Sequence, residues 1–290
     1  MYQFLCLLSG VLLACVVTTN GSLTGYYGAY VGAVMIHIVG TVVSFAVLKA
    51  SGQKSKPDEK LPLWMYAGGT IGILTTVFQG IAFGQLGTTA VMALSLFGQT
   101  VTSLLVDSFG FFGMEKRSVQ KGTILGLLIS MGGIGYMLMG ARDMGVYAML
   151  MSIASGVSGV TSRLANAQLS ARTSAIGGSF TNHWTGLIGS VLLMFVAEPD
   201  IMGYLQVTGV PAWVYIGGAL GVAMVMLWNI AGLKVPAFQL TMLSFAGQVF
   251  TGLVLDQLIG NGFSQEIFVG GAFVIVGVAM NMLAECKSKE

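Results

Sequence analysis

Charge is scarce in this sequence. Only 8% of its 290 residues are Asp, Glu, Lys or Arg, where a soluble domain carries about 25%. So few charges cannot cover a water-facing surface, which excludes a soluble globular fold. Cysteine is nearly as rare. Cys6 and Cys15 lie in the first apolar run and Cys286 in the charged tail, which gives neither a disulfide framework nor metal-ligand spacing. The two histidines, His37 and His183, have no acidic neighbours in sequence. H-E-x-x-H, G-x-S-x-G and Walker patterns are all missing, and with them the signatures of metalloproteases, serine hydrolases and ATP-driven pumps. The net charge of +2 comes without a basic patch interleaved with aromatics, so no nucleic-acid partner is implied. No catalytic residue, metal site or cofactor is expected.

What is present is apolar. Hydrophobic residues make up 55% of the chain, and the mean hydropathy is +0.83. Runs of the length that crosses a bilayer as helix occur ten times, at 2–19, 28–48, 62–84, 88–108, 119–140, 144–165, 175–197, 211–231, 236–257 and 266–284. The expected fold class is an all-α polytopic membrane protein with ten transmembrane helices. "LLAC" at Leu12–Cys15 loosely resembles a lipoprotein cleavage site, but no positive n-region precedes it, and a retained first helix is expected.

The basic residues set the orientation. With the N-terminus cytoplasmic, Lys49, Lys54, Lys56 and Lys60 follow the second run, and Lys116, Arg117 and Lys121 the fourth. Arg163 and Arg172 flank the join after the sixth, Lys234 follows the eighth, and Lys287 and Lys289 lie in the tail. Only Arg142 falls on the other side. The positive-inside rule therefore places both termini in the cytoplasm.

The sequence also repeats itself. "FGQTVTSLLVD" (Phe97–Asp107) returns as "AGQVFTGLVLD" (Ala246–Asp256), 149 residues later, and "PLWMYAGGTIG" (Pro62–Gly72) returns as "PAWVYIGGALG" (Pro211–Gly221) at the same offset. At offset 146, Gly10 matches Gly156, Asn20 matches Asn166, and His37 matches His183. The halves are expected to divide as 1–143 and 144–290. Five spans per half is an odd number, so the second repeat must be inverted. Inverted repeats are a transporter architecture whose substrate site lies near the midplane between the halves.

Ser95, Gln99 and Thr102 recur as Ser244, Gln248 and Thr251, with spacing i, i+4, i+7. On a helix these fall within roughly 60° of one another. Spans four and nine thus each carry a polar stripe, which must face a cavity or another helix rather than lipid. Gln99 and Gln248 are the leading candidates to hydrogen-bond a polar solute, since a carboxamide both donates and accepts without a buried charge. Interhelical packing is the competing role for the same stripes. Asp107 and Asp256 stand two turns further on, about 80° off the stripe. Gating and loop anchoring are both open to them, with Lys116 or Arg117 as candidate partners for Asp107. His37 and His183 titrate nearest neutrality and are the first candidates to carry a coupling proton. Trp184, Trp228 and Asn229 lie inside spans and are pocket candidates. Asn20 and Asn166 suit either helix C-caps or ligand contact.

"GQTVTSLLVDSFGFFG" (Gly98–Gly113), "GGTIG" upstream and the N-terminal "SGVLLACVVTTNGSL" together resemble the YdcZ-type inner-membrane exporter branch of the drug/metabolite transporter superfamily, which is EamA-like. The likeness spans nearly the whole chain, although the second copy ends in "QLIGNG" rather than "FGFFG". It implies a bacterial cytoplasmic-membrane transporter of two five-helix repeats, working in efflux more than uptake. The expected function is secondary transport of a small organic metabolite or drug-like solute by alternating access, with protons as the candidate coupling ion and a homodimer as a candidate assembly. Without acidic residues at mid-depth, a neutral or zwitterionic solute is favoured over a strongly cationic one. A non-transporting membrane scaffold or sensor would share the composition. It would differ in having packed, dry stripes and no solute that stabilises the fold.

Overall fold

The computed structural model describes residues 1–83, 88–117, 121–139, 145–197, 201–204, 207–259 and 265–287. Among these there is no strand. The helices are α1 (Tyr2–Ser51), α2 (Gly68–Phe83), α3 (Thr88–Phe109), α4 (Lys121–Leu138), α5 (Val146–Ser170), α6 (Ala175–Ala197), the short α7 (Ile201–Tyr204), α8 (Gly217–Ala231), α9 (Ala237–Ile259) and α10 (Gln265–Lys287). Helix is what an apolar solvent demands, because each backbone N–H and C=O finds its partner within the segment. Five stretches are long and apolar enough to cross a membrane: Tyr2–Ser51, Val91–Phe109, Ala175–Ala197, Ala212–Ala231 and Ala237–Leu255.

α1 joins the first two apolar runs without a loop. Its continuity breaks at Gly28, whose φ of 70° and ψ of 167° are open only to glycine. A Cβ on Gly32 would strike the side chain of Thr24. In a straight helix those residues would stand about 12 Å apart, so α1 is a hairpin of two antiparallel arms. The equivalent turn in the second half is built differently. The Ser174 hydroxyl accepts the Gly177 amide at 2.9 Å and donates to the Lys54 carbonyl at 2.7 Å.

The two halves interlock. Both arms of α1 pack on α6, α8 and α9 of the second half, while α5 and α6 pack on α2 and α3 of the first. α4 and α10 pair beside them. Equivalent helices of the two halves run antiparallel where they meet. Asp107 at the end of α3 touches the start of α9, and the second arm of α1 meets α6 with Gly40 against His183 and Gly186 against His37. The largest buried cluster fills the space between α3, α9, α4 and α10, with Leu96, Ile134, Phe245, Met242 and Val274 at its centre.

Side-chain contacts gather the basic joins at one end of the bundle. Ser174 bonds Lys54, Trp64 packs edge-on against Phe112 at 5.7 Å, and Gln168 bonds the Phe112 carbonyl. At the opposite end, Tyr27 and Tyr215 share a 2.6 Å hydrogen bond and Gly28 packs under Tyr204.

Candidate transport site

The glycines of the repeated Gly-Gln motif mark helix crossings. Gly98 lies against the Ile153 carbonyl of α5, and Gly247 against the Leu7 carbonyl of α1; a Cβ at either would overlap that oxygen. The facing glycines are equally tight, Gly156 on Ser95 and Gln99, and Gly10 on Ser244 and Gln248. Small residues on both sides let the backbones touch, as membrane helices require when no hydrophobic force drives them together. The serines complete each crossing. Ser9 and Ser244 lie 2.8 Å apart, and Ser155 donates to Ser95 at 3.1 Å. Ser95 and Ser244, two of the expected solute contacts, are thus buried and occupied in joining helices.

The remaining stripe residues are freer. Gln99 and Gln248 are half-buried, and neither side chain has a hydrogen-bond partner among the described residues. Thr102 donates to its own helix at the Gly98 carbonyl, 2.7 Å, and Thr251 is half-buried.

His37 and His183 come together. Their ring centroids are 5.6 Å apart at a 58° tilt. Each ring sits on the other arm's glycine, Gly186 and Gly40 respectively. His183 is 4% exposed. Both of its ring nitrogens, and Nδ1 of His37, are buried without a hydrogen-bond partner among the described residues, a condition that a water or a ligand would complete.

Asp107 takes its hydrogen bonds from backbone and forms no ion pair with Lys116 or Arg117. Its two oxygens accept the amides of Ala237 at 2.9 Å and Phe238 at 2.8 Å, the open N-terminus of α9. A helix N-terminus is a natural seat for a carboxylate. The side chain of Asp256 lies outside the described residues. Asn20 and Asn166 are not C-caps, since the helix runs past both; they pack on Gly217 and Gly68, and Asn166 donates to Asn182 at 2.7 Å. Asn229 donates to the Ala175 carbonyl at 3.0 Å and ties α8 to α6. Trp184 is 48% exposed and faces away from the bundle interior.

One residue is placed quite differently from its expected position beside a join. Arg163 is 4% exposed inside the bundle, because α5 continues two turns past it to Ser170. Its Nη2 donates to Thr241 Oγ1 at 2.7 Å, and its guanidinium carbon lies 5.3 Å from the Trp228 ring centroid. Ser103 and Thr241 are 2.8 Å apart. Trp228 turns its indole N–H away to Ser9 at 3.0 Å. Neither of the two ion pairs among the described residues, Lys54–Asp58 and Arg117–Glu115, includes Arg163. A charge within an apolar span was the available signal, and the nearby join masked it.

The family model described as "Putative inner membrane exporter, YdcZ" matches residues 1–136 and 147–283. The chain belongs to the YdcZ family. The two matches coincide with two fused repeats, and the description places this YdcZ protein in the inner membrane with a transporter role. A solved protein described only as "Crystal structure of protein" is similar at a TM-score of 0.69 and 20% identity, over 98% of this chain and 96% of its own. At that identity the likeness concerns the fold alone. No curated protein matches.

The YdcZ chain has an open cavity of about 540 Å³ at the end that carries the basic joins. Gly113, Met114, Glu115 and Arg117 after α3, Gln168 on α5, Arg172 just past its end, and Val235 before α9 line it. Phe112 beside it holds a left-handed φ of 56°, uncommon for a bulky residue. The amide of Gln168 secures that conformation by donating to the Phe112 carbonyl at 2.6 Å, while its Oε1 accepts from Arg172 at 2.8 Å.

Proposed function

We propose that this YdcZ protein is a ten-span secondary exporter with both termini in the cytoplasm, moving a small organic solute by alternating access. The second repeat is inverted relative to the first. The interlock of equivalent helices suits this reading, because rocking one half on the other would open the two sides of a shared interface in turn. The observation that carries it is the His37–His183 pair: two equivalent residues whose rings meet at a 58° tilt, with three buried ring nitrogens that have no hydrogen-bond partner among the described residues. A purely structural pair would be expected to satisfy those groups. On this reading the histidines pass a coupling proton. Gln99, Gln248, Thr102 and Thr251 face the solute, while Ser95 and Ser244 hold the helices beside it.

The test begins with thermal unfolding of the purified full chain in detergent at pH 5.5 and 8 against a metabolite library, with Q99A and Q248A in parallel. A solute that stabilises the wild type by mass action, and neither variant, would then enter a counterflow assay in proteoliposomes. Failure of every stabilising solute to move across intact proteoliposomes would sink the transport reading. A library with no stabilising solute, together with glutamine variants that melt much lower, would favour a scaffold.

A further inference from the structure

We infer that Arg163 is the recognition point for an anionic group, and that the exported solute is a small organic monoanion, a carboxylate with an apolar or planar body. This deepens the export reading and rests on it. The guanidinium carries five N–H donors, and one of them has a described partner, the hydroxyl of Thr241. A charge buried within a membrane span faces the bundle interior and marks a pathway unless it is paired. The carboxylate that acts on Arg163 through space is Asp107. Both its oxygens are taken by the α9 amides, and no ion pair forms between the two. The Trp228 ring lies 5.3 Å from the guanidinium carbon, and of the bonded Ser103–Thr241 hydroxyl pair one O–H remains to donate.

A second observation points the same way. The open cavity has Arg117 and Arg172 in its wall against one carboxylate, Glu115, which is already paired with Arg117. Gln168 in that wall is five residues from Arg163 on α5, about 7.5 Å along the axis. Met114 belongs both to the cavity and to the apolar cluster of Val106, Val160, Leu164 and Ala237, and Ala237 is one turn from Thr241. This buried apolar cluster would have to part for an anion in the basic mouth to reach Arg163. One cation suits a monoanion better than a phosphate dianion.

The experiment uses the full chain in detergent at pH 8 with benzoate, phenylacetate and 2-oxobutyrate, against benzamide and benzylammonium as matched neutral and cationic probes. Carboxylates should raise the melting temperature of the wild type, and the controls should not. R163Q should weaken carboxylate binding about tenfold or more, the loss of one charge-assisted hydrogen bond. Should R163Q not fold, phenylglyoxal modification of the wild type, read by peptide mass spectrometry, takes its place, and carboxylates should protect Arg163. Equal response to benzoate and benzamide, absence of any carboxylate binding, or unprotected Arg163 would overturn the inference. Counterflow separates the two readings. Transport of a neutral or cationic solute unchanged by R163Q leaves export standing and removes the anion site. Carboxylate binding at Arg163 without flux of any bound solute does the reverse.

Discussion

His183 rests on Gly40, and His37 rests on Gly186, so the two equivalent histidines each occupy the space a side chain on the opposite arm would need. The arrangement holds two polar rings in one tight crossing between α1 and α6. It predicts that G40A destabilises the fold by about 1–3 kcal/mol through overpacking. H183A alone leaves a cavity, and the double variant G40A/H183A recovers part of the loss because the two residues share one space. Additive losses in a thermal unfolding cycle would mean that the rings do not sit on these glycines.

Proton coupling through the same pair makes a separate prediction. H37Q and H183Q each keep a polar side chain, so the folded population should survive while the pH dependence of flux disappears. The comparison is counterflow in proteoliposomes at pH 5.5 and 8. A variant whose flux keeps the wild-type ratio between those values would remove the histidines from the coupling step.

Asp107 caps α9 with both oxygens, and the cap is buried. Asn can accept one of the two amides but brings no charge to the helix dipole. Caps of this kind contribute about 0.5–2 kcal/mol, with the macrodipole adding at the upper end in partly buried sites. D107A should therefore lower the unfolding midpoint more than D107N. A D107N protein with wild-type stability and no transport would instead make the carboxylate part of the pathway.

The all-helical class was legible because apolar runs of membrane length allow little else, and the repeat was legible because both copies keep Gly, Gln and Asp in register. The meeting of His37 with His183 could be anticipated as equivalence but not as contact, since sequence offset carries no distance. The role of Ser95 and Ser244 was ambiguous for a physical reason: a hydroxyl on a stripe serves a solute or a neighbouring helix equally well. Arg163 was hidden by counting. Its charge fitted the cytoplasmic tally, and only the extension of α5 to Ser170 turned a flanking residue into a buried one. The turn at Gly28 was invisible as a loop because it has none.

The Ser9–Ser244 bond offers a measure of how strongly such crossings are held. Hydrogen bonds between membrane helices average about 0.6 kcal/mol in double-mutant cycles, so S9A/S244A should show a coupling energy near that value. G10L places a branched side chain where the Ser244 carbonyl stands and should prevent folding outright. If G10L folds and transports normally, the α1–α9 crossing is looser than these contacts require.

Orientation yields the last prediction. The Lys54 carbonyl bonds Ser174, and Trp64 packs on Phe112, so the joins after α1, α3 and α5 share one end of the bundle. On the positive-inside rule that end is expected in the cytoplasm. In a variant with Cys6, Cys15 and Cys286 replaced by serine, single cysteines at Lys56 and Glu115 should react with a membrane-impermeant maleimide in inside-out vesicles and stay protected in intact spheroplasts. A cysteine at Gly209, in the join before α8 near the Tyr27–Tyr215 end, should behave in the opposite way. Labelling of all three from one side would break the odd number of crossings, five, expected between Lys56 and Gly209, and with it the inverted relation of the repeats. Reversed labelling of all three would keep the repeats and place both termini outside, leaving the basic cavity to face the wrong compartment for an exporter that loads from the cytoplasm.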